Sequence, residues 1–191
     1  PFIYFGAKAT QGMGLNPVLQ DIALVIHPPI LYSGYVALLV PFALSITALY
    51  DKKYLSICLP AILFYSRISW FLITIGISLG SWWAYRELGW GGYWFFDPVE
   101  NASLLPWIFV TALYHVCLRG AKFSQYYAAT LSLGILPFLS VLLSTFFVRS
   151  GLLVSVHSFT NDVFSSLYLG ASFCCIIIPS IIFWMINIHK F

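Results

Sequence analysis

The chain is 191 residues long, 61% hydrophobic and only 8% charged, with a formal net charge of +3. Soluble domains carry about 25% charged residues, so this composition excludes a water-soluble globule and defines an integral membrane protein built as one unit. The few basic residues are scattered at segment ends, which excludes a nucleic-acid-binding face and assigns them to membrane topology.

A spanning helix needs about 20 mostly apolar residues. Only helices let a lipid-exposed backbone of this apolar, repeat-free kind satisfy its own hydrogen bonds, so the expected class is all-α. Taken in chain order, the predicted spans are 31–50, 68–85, 104–118, 126–148 and 164–188, within a single membrane domain covering residues 1–191. An apolar stretch at 55–64 precedes the second span. Pro60 and Arg67 interrupt it, so it is expected to lie along the membrane interface. Pro137 predicts a kink in the fourth span. The proline at position 1 reads as the start of a cut or processed chain.

In a five-span arrangement Lys52, Lys53, Arg67, Arg119, Lys122 and Lys190 fall on one side, and Lys8, Arg86 and Arg149 on the other. The Lys/Arg excess marks the first side as cytoplasm or matrix. Asp21, Glu87, Asp97, Glu100 and Asp162 gather on the opposite, outer side.

Cys58, Cys117, Cys174 and Cys175 form no C-x-x-C pair and no C-x-x-C-H haem-attachment site. Cys174 and Cys175, adjacent inside an apolar run, read as small apolar residues, so the chain is expected to be neither a thiol oxidoreductase nor a c-type cytochrome. No phosphate-binding G-x-x-x-x-G-K-[ST] loop occurs, which excludes an ATPase subunit.

The densest chemistry lies between the second and third spans, in residues 82–107, centred on WGGYWFFDPVENAS. Trp82, Trp83, Trp90, Tyr93, Trp94, Phe95 and Phe96 offer a broad aromatic surface, too dense for an ordinary interfacial girdle. Gly89, Gly91 and Gly92 allow close backbone approach. Trp70 and Trp107 suit interfacial anchoring equally well. Asp97 and Glu100 precede an apolar run and are expected to cap the third helix, since carboxylates favour helix N-termini. His27 is expected just before the first span and His157 just after the fourth, flanking the aromatic segment on the outer side. Two such imidazoles can ligate one haem iron from opposite faces. Arg86 and Arg149 can pair with its propionates. His115 stands inside the third span, where an ionisable residue is a functional site by default, whereas His189 reads as a solvated end residue.

At these residues the sequence resembles a known family. GSWWAYRELGWGGYWFFDPVENASLLPW closely resembles the tryptophan-rich WWD signature of membrane haem-handling proteins. Its continuation through DPVENAS, with GLNPVLQDIALVIHPPILYSGY and FVRSGLLVSVHSF in order, looks like the CcmF-type haem lyases of System I cytochrome c maturation. The resemblance covers roughly residues 14–160. Tyr93 and Phe96 stand where the bacterial family usually has Trp, and the aromatic surface is kept.

The resemblance implies a function. A subunit of this type positions haem from the chaperone CcmE for thioether attachment to apocytochrome c. His27 and His157 match the family's outer histidines, with Trp83, Trp90, Tyr93, Trp94, Phe95 and Asp97 in the haem-binding segment. His115 matches one of two intramembrane ligands of a b-type haem, whose other ligand belongs to a later part of the family sequence. The implied partners are the remaining CcmF chain or chains, CcmE, a CcmH-type protein and apocytochrome c, within membrane lipid. The family's split forms place the chain in the mitochondrial inner membrane, with the bacterial inner membrane as the alternative. Two other roles compete: a haem-transfer protein without ligase activity, and a scaffold in a larger membrane complex.

Overall fold

A computed structural model describes residues 14–151 and 163–191. His157 and Lys8 lie outside these residues. Every regular element among the described residues is helical: α1 (Ile22–Ala37), α2 (Leu39–Tyr50), α3 (Leu55–Glu87), α4 (Pro98–Gly120), α5 (Tyr127–Arg149) and α6 (Val163–Asn187). Together α1 and α2 form one path, Ile22–Tyr50, and the described chain has five helical paths long and apolar enough to cross a membrane.

The first path starts nine residues earlier than the predicted 31, at Ile22 rather than Leu31. Asp21 caps it by accepting from the Ala23 N–H at 2.7 Å. Pro28 and Pro29 sit inside α1 rather than before it. The expectation that His27 stands outside the helix is therefore corrected: it is a helical residue. The break between α1 and α2 falls at Leu38, just before Pro41. That proline has no N–H for the carbonyl of Ala37 and its ring crowds that carbonyl.

The 55–64 stretch is also corrected. It runs straight into the second span as the first part of the 33-residue α3, through Pro60. At 1.5 Å per residue α3 is about 50 Å long, against a hydrocarbon core of about 30 Å, so it must tilt or rise beyond the bilayer. α4 begins at Pro98 rather than 104 because Asp97 and Glu100 form a complete capping box there, as their positions in the sequence suggested. The helices α5 and α6 continue through Pro137 and Pro179.

Short connections make successive paths antiparallel, and the core forms three layers along the bundle. One end packs Ala48 and Leu49 with Cys58 and Ile62, Leu113 and Cys117, and Leu131 and Ile135. The middle packs Leu31, Leu38, Ile73, Val110 and Val141. The other end packs Ala23, Trp83 and Ala84. Close approach of α1 and α3 depends on small residues. A Cβ on Gly34 would stand 2.7 Å from Ile73 Cγ1, and one on Gly76 would stand 2.9 Å from Leu31 Cα. Such small-residue seams let membrane helices pack backbone to backbone.

Asp51, Lys52, Lys53, Arg119, Lys122 and Lys190 collect at the Ala48–Cys58 end. There the Lys53 N–H and ammonium hold the Asp51 carboxyl below its usual range. Asp21, Arg86, Glu87, Asp97, Glu100 and Arg149 collect at the Trp83 end. Cys58 and Cys117 are buried, whereas Cys174 and Cys175 are exposed on α6.

Candidate functional site

The aromatic segment is a loop between α3 and α4, held in shape by the first turn of α4. One Glu100 carboxylate oxygen accepts from the N–H groups of Phe95, at 3.0 Å, and Asp97, at 3.1 Å. Asp97 in turn accepts from Val99 at 3.0 Å. Between them Phe96 adopts φ +58°, a left-handed conformation that costs a bulky residue roughly 1–3 kcal/mol. The Asn101 side-chain amide donates to the Phe96 carbonyl at 3.0 Å. The sequence FFDPVEN is thus a clasp that fixes a strained aromatic residue, with Gly89 and Gly91 supplying two further left-handed positions.

This clasp divides the aromatic surface by role. Trp83 is buried and donates its indole N–H to the Val18 carbonyl at 3.1 Å, fastening the segment before α1. Trp90 packs beside it and tilts against Phe95 at 5.2 Å between ring centres. Tyr85 and Tyr93 stack at 4.4 Å and 14°. Phe95 and Phe96 are exposed, Phe96 most of all at 73%. Arg86 pairs with buried Asp21 at 3.1 Å and lies over Trp82. Its role in the described chain is therefore to tie the start of α1 to the end of α3.

Trp94 turns the other way and shares a cleft with His27. This cleft, about 50 Å³, is also lined by Gly80, Ala84, Glu100 and Ser103. The His27 Nδ1 lies 2.6 Å from the Gly76 carbonyl oxygen. A carbonyl only accepts, so Nδ1 carries a proton, and in the neutral imidazole the lone pair is then on Nε2. Gly80 makes room for the ring, since a Cβ there would stand 2.7 Å from His27 Cε1. A second lobe, about 90 Å³, opens between α1, α4 and α5 and reaches exposed Arg149. Both lobes are lined by Leu31, Val99 and Ser103, so they adjoin at the mouth between α1 and α4.

The structure thus brings His27, Trp94 and Arg149 to one groove. It places Trp83 and Trp90 in the packing beneath the loop, leaves Arg86 exposed in its pair with Asp21, and puts Tyr93 and Phe95 on the outer surface. His115 lies elsewhere, exposed on α4 toward the basic end. Its Nδ1 lies 2.8 Å from the Thr111 carbonyl oxygen, an arrangement that puts the lone pair of the neutral imidazole on Nε2. Beneath it runs a reciprocal seam: Trp70 donates to Thr111 Oγ1 at 3.0 Å, and Trp107 donates to Thr74 Oγ1 at 2.9 Å. Trp70 and Trp107 are therefore helix-to-helix ties rather than interfacial anchors. Sequence reasoning passed over two signals for these contacts: the repeated W-x-x-x-T of α3 and α4, and the G-x-x-x-G formed by Gly76 and Gly80.

Five helical paths long and apolar enough to span, with a histidine and an aromatic loop at one bundle end and a second accessible histidine toward the other, define a polytopic membrane protein. Residues 2–154 match the family model described as Cytochrome C assembly protein, and the chain belongs to that family. It is 49% identical over 161 residues to the cytochrome c-type biogenesis protein CcmF of Haemophilus influenzae, covering 84% of this chain and 25% of that protein. It is 44% identical over 184 residues to CcmF of Escherichia coli, covering 94% of this chain and 28% of that protein. A solved structure described as Cytochrome c Heme Lyase CcmF superposes with a TM-score of 0.71 at 29% identity, over 90% of this chain and 26% of that one. The chain thus spans about a quarter of the length of the relatives it matches.

Proposed function

We propose that this chain is the aromatic-loop part of a cytochrome c haem lyase, working in an inner membrane with the remaining family chains. Haem is the substrate at the acidic, aromatic end, delivered by a CcmE-type carrier and joined to apocytochrome c, with a CcmH-type protein as a further partner. The supporting observation is the His27 imidazole, its Nε2 lone pair set by the Gly76 carbonyl, beside Trp94 in a groove that ends at Arg149. That donor set suits an iron, a flat ring and a carboxylate respectively. Ligand pockets for drug-sized molecules run to roughly 300–1,000 Å³, so neither lobe encloses a porphyrin and the ring must rest across the mouth, against the aromatic loop.

The chain's own residues then orient rather than react. His27 fixes the iron's position. Trp94, Tyr93 and Phe95 supply apolar surface, and the Glu100 clasp keeps that surface in place. The thiols come from apocytochrome c, in keeping with cysteines here that lie outside the groove. Holding two reactants in attack geometry is worth up to roughly 7–11 kcal/mol. His157 is the proposed opposite ligand.

His115 is the proposed ligand of a second, b-type haem completed by another chain. Its geometry suits that role: an exposed imidazole whose Nδ1 is held by a carbonyl, so that the neutral ring presents its lone pair at Nε2. Such a group supplies a one-electron couple when bound.

The mitochondrial inner membrane is the proposed location, with the aromatic end toward the intermembrane space. Expressing the assembled lyase with His27→Ala tests the reading. Haem should accumulate on the carrier and apocytochrome c should remain unmodified. Normal cytochrome c maturation by a His27→Ala, His157→Ala double variant would exclude the ligase role and favour a scaffold.

A further inference from the structure

Arg67 is the thirteenth residue of α3 and stands between Ile62 of the basic-end core and Ile73 of the middle core. It therefore lies within the spanning body of the bundle rather than at its tip. A cation at that depth is costly without an anionic partner. None of the described acids serves. Asp21, Glu87, Asp97 and Glu100 occupy the opposite end of the bundle, and Asp51 is taken by Lys53 at 2.9 Å. The one remaining acid of the sequence, Asp162, lies outside the described residues.

The surroundings of Arg67 say what the anion belongs to. Its guanidinium lies 5.7 Å from the centre of the Tyr114 ring. Tyr114 stacks on Trp70 at 6.3 Å and 28°, and meets His115 edge-on at 5.9 Å. Positions 67 and 70 of α3 share a face, as do 111, 114 and 115 of α4. One exposed face therefore presents, side by side, a fixed cation, an aromatic wall and an imidazole with its Nε2 lone pair available. The Trp70–Thr111 bond at 3.0 Å locks the two helices under that face.

We infer that Arg67 is the carboxylate anchor of the His115 site, pairing with a propionate of the haem whose iron His115 ligates. The inference rests on the reading of His115 as a haem ligand. Arginine suits the task because its planar fork bonds a carboxylate through two N–H groups and stays charged at membrane depth. Here Arg67 is a positioning residue: it acts on the ring's carboxylate, not on the iron.

The test uses the assembled multi-chain lyase in membranes or detergent, comparing wild type with Arg67→Gln, Arg67→Lys and His115→Ala. Haem is read by pyridine haemochrome and its midpoint potential by redox titration. His115→Ala should lose the b-type spectrum. If that spectrum persists, the ligand reading fails and Arg67 falls with it. With the ligand reading intact, Arg67→Gln should lower the midpoint potential, because an uncompensated propionate favours the ferric ion, and should speed haem loss to apomyoglobin. Arg67→Lys should keep the potential near wild type but lose haem faster, since the charge remains and the fork does not. Unchanged potential and unchanged haem loss in Arg67→Gln would overturn the inference and leave Arg67 to a lipid phosphate. An Arg67→Gln complex that sheds a partner chain while its haem keeps its potential would also overturn it, in favour of a partner's acidic residue. If Arg67→Gln fails to assemble, Arg67→Lys decides alone, and unchanged haem loss there overturns the inference.

Discussion

Glu100 shows how one side chain shapes the candidate site through the backbone it holds. Its carboxylate takes two backbone N–H groups, from Phe95 and Asp97, and so closes the α4 cap and the aromatic loop together. Replacing a capping residue costs about 0.5–2 kcal/mol, and leaving a second donor unpaired adds a similar amount. Glu100→Ala should therefore lower the stability of the assembled protein by about 1–3 kcal/mol, read as a lower melting temperature, and reduce haem transfer. Glu100→Gln, which keeps one acceptor oxygen, should fall in between. Phe96 separates strain from function. Its φ of +58° suits glycine, and its side chain is 73% exposed. Phe96→Gly should leave stability unchanged or raise it by up to about 1 kcal/mol, relief of strain being offset by glycine's chain entropy. Haem transfer should drop if the exposed ring forms part of the platform. A variant that is destabilised yet transfers haem normally would give Phe96 a packing role.

At the scale of elements, the seam between α1 and α3 is where packing and chemistry meet. Gly34, Gly76 and Gly80 let α1 lie close on α3, but only Gly80 faces the His27 ring. Overpacking a tight core costs roughly 1–3 kcal/mol, so Gly80→Ala and Gly34→Ala should destabilise the bundle to a similar degree. Only Gly80→Ala should displace His27 and impair haem transfer. Equal transfer by the two variants at matched expression would detach His27 from the proposed chemistry. This seam was only partly legible in the sequence. Hydropathy marked five spans, and the acids after the aromatic run marked the α4 cap. The first span was expected to begin at 31, yet the Asp21 cap and the packing of Ala23 on Trp83 and Ala84 start α1 at Ile22 and carry it through Pro28 and Pro29. Pro60 likewise yields to the packing of Cys58 and Ile62. Aromatic type was legible but direction was not. Trp83 and Trp94 look alike in sequence, and only the fold buries one and turns the other toward His27.

For the molecule as a whole, the antiparallel course of the helices places two loops far apart in sequence at one end. Gln20, at the start of α1, and Ser150, after α5, both belong to the end that carries the aromatic loop, whereas Ser124 and Gln125 lie between α4 and α5 at the other. The second end holds Lys52, Lys53, Arg119, Lys122 and Lys190. At the first, Arg86 is neutralised by Asp21, so little positive charge opposes translocation there, and short loops rich in Lys and Arg stay behind. The proposed orientation therefore puts the basic end toward the matrix or cytoplasm and the aromatic end outward, where haem and apocytochrome c are proposed to meet. Single cysteines at Gln20, Ser150, Ser124 and Gln125, in a chain whose four native cysteines are replaced, test this with a membrane-impermeant maleimide. In intact inner-membrane preparations with the outer face exposed, Gln20→Cys and Ser150→Cys should label at once. Ser124→Cys and Gln125→Cys should label only after permeabilisation. If the two pairs exchange behaviour, the bundle stands but the haem site faces the wrong compartment for its proposed substrates. If Gln20→Cys and Ser150→Cys label from opposite sides, the groove joining His27 to Arg149 cannot exist, and the proposed function loses its geometric basis.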